Sequence, residues 1–183
     1  NLRFGGNVTY HQFGVGRLKA GSTDGKISFS AGQEFYGTEL GTYISDEYQA
    51  ASNLKINAGL RLSSFISGGT TSQIGWEPRL ALNYGLSDKI SLKASYSRMY
   101  QYVHLISNSG LSLPTDIWYP STAKVKPETS DQVAGGISWL LGKEWLITNE
   151  YYYKWLGNQI EYKDGAQLFA NDNIENEFSF GKG

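Results

Sequence analysis

Cysteine is absent from this chain, so neither a disulfide framework nor a thiolate metal centre is available. Long apolar runs are absent too. None approaches the ~18 residues that a membrane-crossing helix needs, which excludes a helical membrane protein. The formal net charge is only -1, so a nucleic-acid partner has no electrostatic support. Histidine occurs twice, as His11 and His104, which leaves few candidates for a catalytic base. Charged residues make up 18%, below the roughly 25% of typical soluble domains. Proline is scarce, at 4 residues.

What the chain has in quantity is glycine, 22 residues, and aromatics, with 13 Tyr and 5 Trp among 183 residues. Its most informative stretch is Leu54-Lys55-Ile56-Asn57-Ala58-Gly59-Leu60-Arg61-Leu62. Side chains alternate across a strand with a period of two. One face therefore carries Leu54, Ile56, Ala58, Leu60 and Leu62, and the other carries Lys55, Asn57, Gly59 and Arg61. A mean hydropathy of -0.38 fits such strands, because half of each is polar.

The same register recurs in eight candidate strands. They run over Leu2–Phe13, Gly37–Tyr48, Leu54–Ile66, Ile74–Gly85, Ile90–Tyr102, Asp131–Leu141, Glu144–Trp155 and from Ile174 onward. Most reach the ~9–11 residues of a tilted membrane strand, where soluble strands cluster near ~5–6. Tight connections at Gln49–Asn53, Leu86–Lys89 and Gly142–Lys143 alternate with longer ones at Gly14–Tyr36, Ser67–Gln73, Val103–Ser130 and Leu156–Asn173. Short turns on one rim and long loops on the other form the pattern of an outer-membrane barrel. A Greek-key sandwich has no reason to segregate loop lengths in this way.

Aromatics fall where a membrane boundary would use them. Trp145, Ile147, Tyr151, Tyr153 and Trp155 share one face of one strand, with a Trp at each end. Trp76, Leu80, Leu82 and Tyr84 share another, as do Ile90, Leu92, Ala94 and Tyr96. The competing explanation is a cross-strand aromatic ladder in a soluble sheet.

No catalytic motif accompanies the two histidines. There is no Gly-x-Ser-x-Gly elbow and no phosphate-binding loop, so no enzyme activity is expected. Asn171-Asp172-Asn173 with Glu175 and Glu177 offers oxygen ligands, but the spacing does not match an EF-hand, and no metal or cofactor is assigned. The better candidate site is the long loop Val103–Ser130. It holds His104, Asp116, Trp118, Tyr119, Lys124 and Lys126, the aromatic and charged set that grips a ligand at a barrel mouth. The alternative folds that loop over the rim with Trp118 packed into its own core, the commoner role of a single aromatic. On the polar face, Lys55, Arg61, Glu77, Arg79 and Lys93 would line the lumen. Buried charges need partners, so these are expected to meet a plug or one another.

Certain phrases carry a family resemblance. They are Ile56-Asn57-Ala58-Gly59-Leu60-Arg61, then Trp76-Glu77-Pro78-Arg79-Leu80-Ala81-Leu82-Asn83-Tyr84, and Leu92-Lys93-Ala94-Ser95-Tyr96-Ser97-Arg98. Leu113-Pro114-Thr115-Asp116-Ile117-Trp118-Tyr119-Pro120 and Val125-Lys126-Pro127-Glu128-Thr129-Ser130-Asp131-Gln132 follow. From Tyr43 onward the chain resembles the barrel of TonB-dependent outer-membrane receptors, in the form common in Bacteroidetes. The resemblance implies a 22-stranded barrel closed from inside by an N-terminal plug, importing a scarce nutrient with energy passed by TonB. Outer-membrane lipid, TonB (through the plug), a surface lipoprotein and a small or oligomeric nutrient are the implied partners.

The fold expected is thus all-β: an antiparallel transmembrane barrel segment of about eight strands, residues 1–183, with plug and C-terminal closing strand lacking. Both ends read as strand, so a piece of a longer polypeptide is expected. Two alternatives stand beside it. One is an autonomous eight-stranded barrel acting as adhesin or anchor, a viable barrel size. The other is a soluble β module that binds carbohydrate through Trp and Tyr, with Leu54, Ile56, Leu60 and Leu62 covered by a second sheet.

Overall fold

Period-two patterning becomes ten strands in two antiparallel sheets in the computed structural model, which describes residues 1–21, 28–68, 71–106, 117–142, 144–166, 171 and 173–183. The large sheet contains β1 (Leu2–Gly21), β2 (Ser28–Ala51), β3 (Leu54–Ser67), β4 (Thr71–Ser87), β5 (Ile90–Gln101), β8 (Glu128–Leu141), β9 (Trp145–Tyr162) and β10 (Phe178–Lys182). Its spatial order is β1-β2-β3-β4-β5-β8-β9-β10, a meander in which chain neighbours pair. β6 (Val103–Ile106) and β7 (Ile117–Pro120) form a separate two-stranded sheet between β5 and β8 in the chain. Apart from β10, the strands of the large sheet run from 12 to 24 residues.

Register sorts the side chains as alternation requires. Leu62 lies opposite Trp76, Leu60 opposite Pro78, Ala58 opposite Leu80, Ile56 opposite Leu82 and Leu54 opposite Tyr84. The same face continues through Tyr84 with Leu92, Leu92 with Ile137, and Trp139 with Ile147. On this outer face large apolar groups stand open, among them Phe4, Ile44, Trp76, Leu80, Ile137 and Trp145. No element among the described residues packs over Leu60 or Leu62. No helix among the described residues is long and apolar enough to cross a membrane, which says nothing against strands that cross one.

Where the strand patterning ends, the backbone pairing goes on. The stretch Gly14–Tyr36, expected as a loop, is mostly a continuation of the β1–β2 hairpin, which pairs as far as Gly21 with Ser28 and shifts register between Val15 and Leu18. Apolar alternation marks only the part of a strand with one apolar environment, whereas ladder hydrogen bonds can carry a hairpin beyond it. β9 likewise reaches Tyr162 rather than Trp155. The expected strand from Ile174 begins instead at Phe178, because Ile174–Glu177 form a short 3-10 turn.

The sheet curls around a core at the end remote from the tight turns. Phe13 and Val15 of β1, Ile106 of β6, Tyr119 of β7, Val125, Ile160 of β9, Ile174 and Phe178 of β10 cluster there, with Phe35 and Val103 against them. The two edge strands thus share one core without pairing to each other: β1 and β10 end the strand order. Elsewhere the concave face is open and polar.

Glycines admit rings on that face, as at Gly5 beneath Tyr43. A Cβ at Gly37 would collide with the Phe65 ring, and one at Gly75 would sit 2.7 Å from the Tyr100 ring. Phe65 is fully buried and stacks on Tyr102 at 5.6 Å between centroids, so its ring has nowhere to retreat. Gly37→Val is therefore expected to destabilise the sheet by about 1–3 kcal/mol through overpacking. The check is equilibrium unfolding in detergent, with Gly181→Val as the control, since a Cβ at Gly181 meets nothing within 4 Å.

Candidate functional site

The concave face divides into a packed half and a polar half. The packed half is built on the β6–β7 hairpin. Val103–Ile106 pair with Ile117–Pro120, and alternation sends His104 and Ile106 of one strand inward with Tyr119 of the other. Tyr119 is fully buried. Its ring meets Phe35 of β2 at 4.9 Å and Phe178 of β10 at 5.0 Å, both edge-on. One side chain thereby ties the first hairpin to the last strand. Its hydroxyl donates to Glu175 Oε1 at 3.1 Å, and Thr122 Oγ1 donates to the same oxygen at 2.6 Å. Burial, then the Glu175 carboxylate, pushes the Tyr119 hydroxyl well above its ordinary pKa, so it stays a neutral donor.

His104 is also fully buried. Its Nε2 lies 2.9 Å from Ser121 Oγ, and its Nδ1 lies 3.5 Å from Glu128 Oε1. Burial lowers the imidazole pKa, and the Glu128 carboxylate opposes that shift without reversing it. At neutral pH the ring is therefore uncharged. The turn after β7 is fixed by backbone bonds, Ser121 N–H to Tyr102 O at 2.7 Å and Thr122 N–H to Val125 O at 2.9 Å. Gln73 reaches over from β4 to donate to Thr122 O.

The six loop residues singled out from the sequence thus separate. His104 and Tyr119 are core. Trp118, expected as the packed aromatic in the alternative reading, instead stands 55% exposed opposite Leu105. Neighbouring residues of a strand point to opposite faces, so Trp118 and Tyr119 cannot both be inward. Lys124 is exposed and its Nζ lies 3.8 Å from Glu175 Oε2, while Lys126 is exposed. Asp116 lies outside the described residues. Among the described residues no group of three or more acidic or imidazole side chains could hold a metal, and Asp172 of the acidic stretch lies outside them.

The polar half carries a chain of ion pairs. Arg61 Nε lies 3.5 Å from Glu77 Oε1, and Arg61 Nη2 lies 3.6 Å from Glu39 Oε1. Arg79 Nη2 reaches the other Glu77 oxygen at 3.7 Å. His11 Nε2 is 3.7 Å from Glu39 Oε2. Glu77 is buried, with one arginine at each of its two carboxylate oxygens. Lys55 and Lys93 are exposed on the same face, where Asn83 lies opposite both. Glu39 was missed in the sequence, although the odd-numbered parity of β2 would have placed it here. Ser121 and Glu128 were missed, and Glu175 was read only as a possible oxygen ligand, because only the folded hairpin brings these three to His104 and Tyr119.

Residues 1–181 match the family described as TonB dependent receptor-like, beta-barrel. No curated protein matches the chain.

Two outcomes follow from this packing. A neutral buried histidine favours the folded state only while it stays unprotonated. Its pKa is depressed below the unfolded value of about 6.5, so the unfolded chain binds the proton first, and stability falls as pH drops from about 6.5 toward the folded pKa. The opening equilibrium of the hairpin amides, taken as the hydrogen-exchange rate divided by the intrinsic chemical rate at each pH, should rise over that window in the native protein and stay flat in His104→Gln. Equal pH dependence in both would assign the effect elsewhere. Tyr119→Ala should cost about 3–5 kcal/mol and Tyr119→Phe about 1 kcal/mol, read from unfolding midpoints in detergent.

Proposed function

The chain belongs to the TonB dependent receptor-like β-barrel family, a transport family, and on that premise we propose that it forms part of the wall of an outer-membrane active importer. It supplies eight strands of a larger barrel, 22-stranded in the family pattern. Plug and closing strand belong to the rest of the receptor. The cargo is a scarce nutrient such as an iron chelate, a glycan or a peptide, and the receptor is of the Bacteroidetes type, working with TonB through its plug and with a surface lipoprotein.

The observation that carries this reading is the outer face. Its apolar surface ends at aromatic boundaries: Tyr48, Tyr84, Trp139 and Trp145 near the tight turns, and Trp76, Tyr96, Tyr153 and Trp155 toward the other rim. From Trp145 to Trp155 is ten residues on one strand. At ~3.3 Å per residue and ~40° tilt, that spans roughly 25 Å along a membrane normal, the height of an outer-membrane apolar band. Trp155 sits level with Asp131, which accepts a hydrogen bond from Tyr96 at 2.7 Å and lies 3.9 Å from Arg98. Polar groups thus begin where the belt ends.

The exposed edges of β1 and β10 favour a segment over a self-contained eight-stranded barrel. The uncovered Leu60 and Leu62 count against a soluble carbohydrate-binding module, whose second sheet would bury them.

Gel mobility of the detergent-refolded chain, with and without boiling, separates the first two. No shift, together with dependence on detergent for solubility, is the expected result. A faster unboiled band would mean a closed eight-stranded barrel. For the importer itself, growth of cells carrying the full receptor on iron chelates, glycans or peptides should require both the receptor and TonB for one class. Growth independent of TonB would remove active import.

A further inference from the structure

Beside the Arg61–Glu77–Arg79 ion pairs, charge on the concave face fails to balance. Arg3, Ser45, Gly59 and Arg79 are successive cross-strand partners on β1, β2, β3 and β4. Between the arginines stand only a hydroxymethyl group and a glycine, so the row dips between two long cationic ends. Three strand spacings of ~4.8 Å set their Cα atoms roughly 14 Å apart. With Tyr43 and Arg61 alongside, they line a cavity of about 330 Å³.

Three guanidiniums meet this region, and two carboxylates, Glu39 and Glu77, answer them. Both carboxylates are taken: Glu77 bridges Arg61 and Arg79, and Glu39 serves Arg61 and His11. The Arg3 guanidinium has no ion pair or hydrogen bond among the described residues, and the diagonal Glu47 makes none with it. One positive charge is left over at the mouth of a cavity whose floor is too small to fill it.

We propose that this cavity binds one oxyanion, a carboxylate or a phosphate, held between Arg3 and Arg79 over Gly59. The guanidinium fork offers paired parallel donors that suit both groups, and two forks facing one gap fix its orientation. The proposal rests on the reading of the concave face as an importer lumen. There the oxyanion comes either from cargo in transit or from an acidic side chain of the receptor's own interior domain.

The test uses the full-length receptor in detergent. Citrate and inorganic phosphate are titrated by calorimetry into the native protein, Arg3→Gln and the cavity-filling Ser45→Leu, and urea unfolding midpoints are compared for the native protein, Arg3→Lys and Arg3→Glu. Binding of either anion, weakened at least tenfold in both variants, assigns a free anion. No binding, with a midpoint lowered by Arg3→Glu but kept by Arg3→Lys, assigns a carboxylate of the receptor itself. No binding with an unchanged or raised midpoint in Arg3→Glu overturns the proposal, because in an empty cavity the new carboxylate would simply neutralise Arg79. A water-soluble quencher reaching a fluorophore at Asn57, on the same face in lipid vesicles, reports the lumen reading separately.

Discussion

A backbone amide in hydrocarbon has no water to bond, so every strand that crosses lipid must be paired along both edges. On the proposed importer reading, that demand organises this molecule. It explains why strands run well past the length of soluble ones and pair in sequence order around the inserted β6–β7 hairpin, and why the connections at one rim shrink to two or three residues. It also gives the edges of β1 and β10 their meaning. Their outward side chains include Phe4 and Val8, open and apolar, on a strand whose free edge has no partner among the described residues. An apolar strand with a bare edge is a pairing surface.

Inside the curl, the two halves of the concave face work differently. At one end, Tyr119 joins Phe35 to Phe178 and so holds strands that are far apart in the sheet around a dry core. Its neighbour His104 stays neutral within the same core. Toward the tight turns the wall is open, lined by small residues such as Ser45, Gly59 and Ala134 among Arg79, Lys55 and Lys93. The β6–β7 hairpin, between β5 and β8 in the chain, thus fills one end of the concave face. The charged wall is left free for whatever passes or docks there.

Much of this was legible in the sequence because period-two alternation is a local signal. Leu54–Leu62 announces its two faces without help from any neighbour, and Gly142 with its flanking leucine and tryptophans marks a tight turn. The strand extensions beyond Phe13 and Trp155 were not legible, since pairing there continues without an apolar face to advertise it. The hairpin within Val103–Ser130 was missed for a different reason. Four-residue strands are too short to display a period, and their partners come from β2, β4 and β10. Arg61, Glu77 and Arg79 could be placed on one face from parity alone. That Glu77 bridges both arginines requires the β3–β4 register, and that Glu39 joins them requires the β2–β3 register.

The central claim is that the face carrying Leu54, Ile56, Ala58, Leu60 and Leu62 lies against lipid while the intervening residues face water. Nitroxide labels placed singly along positions 54–62 of the full receptor in lipid vesicles test it most directly, by comparing relaxation by oxygen, which partitions into lipid, with relaxation by a water-soluble nickel chelate. The account predicts accessibilities that alternate with period two, oxygen dominating at the even positions and the chelate at the odd ones. Chelate access at both sets, or oxygen access at neither, would contradict it.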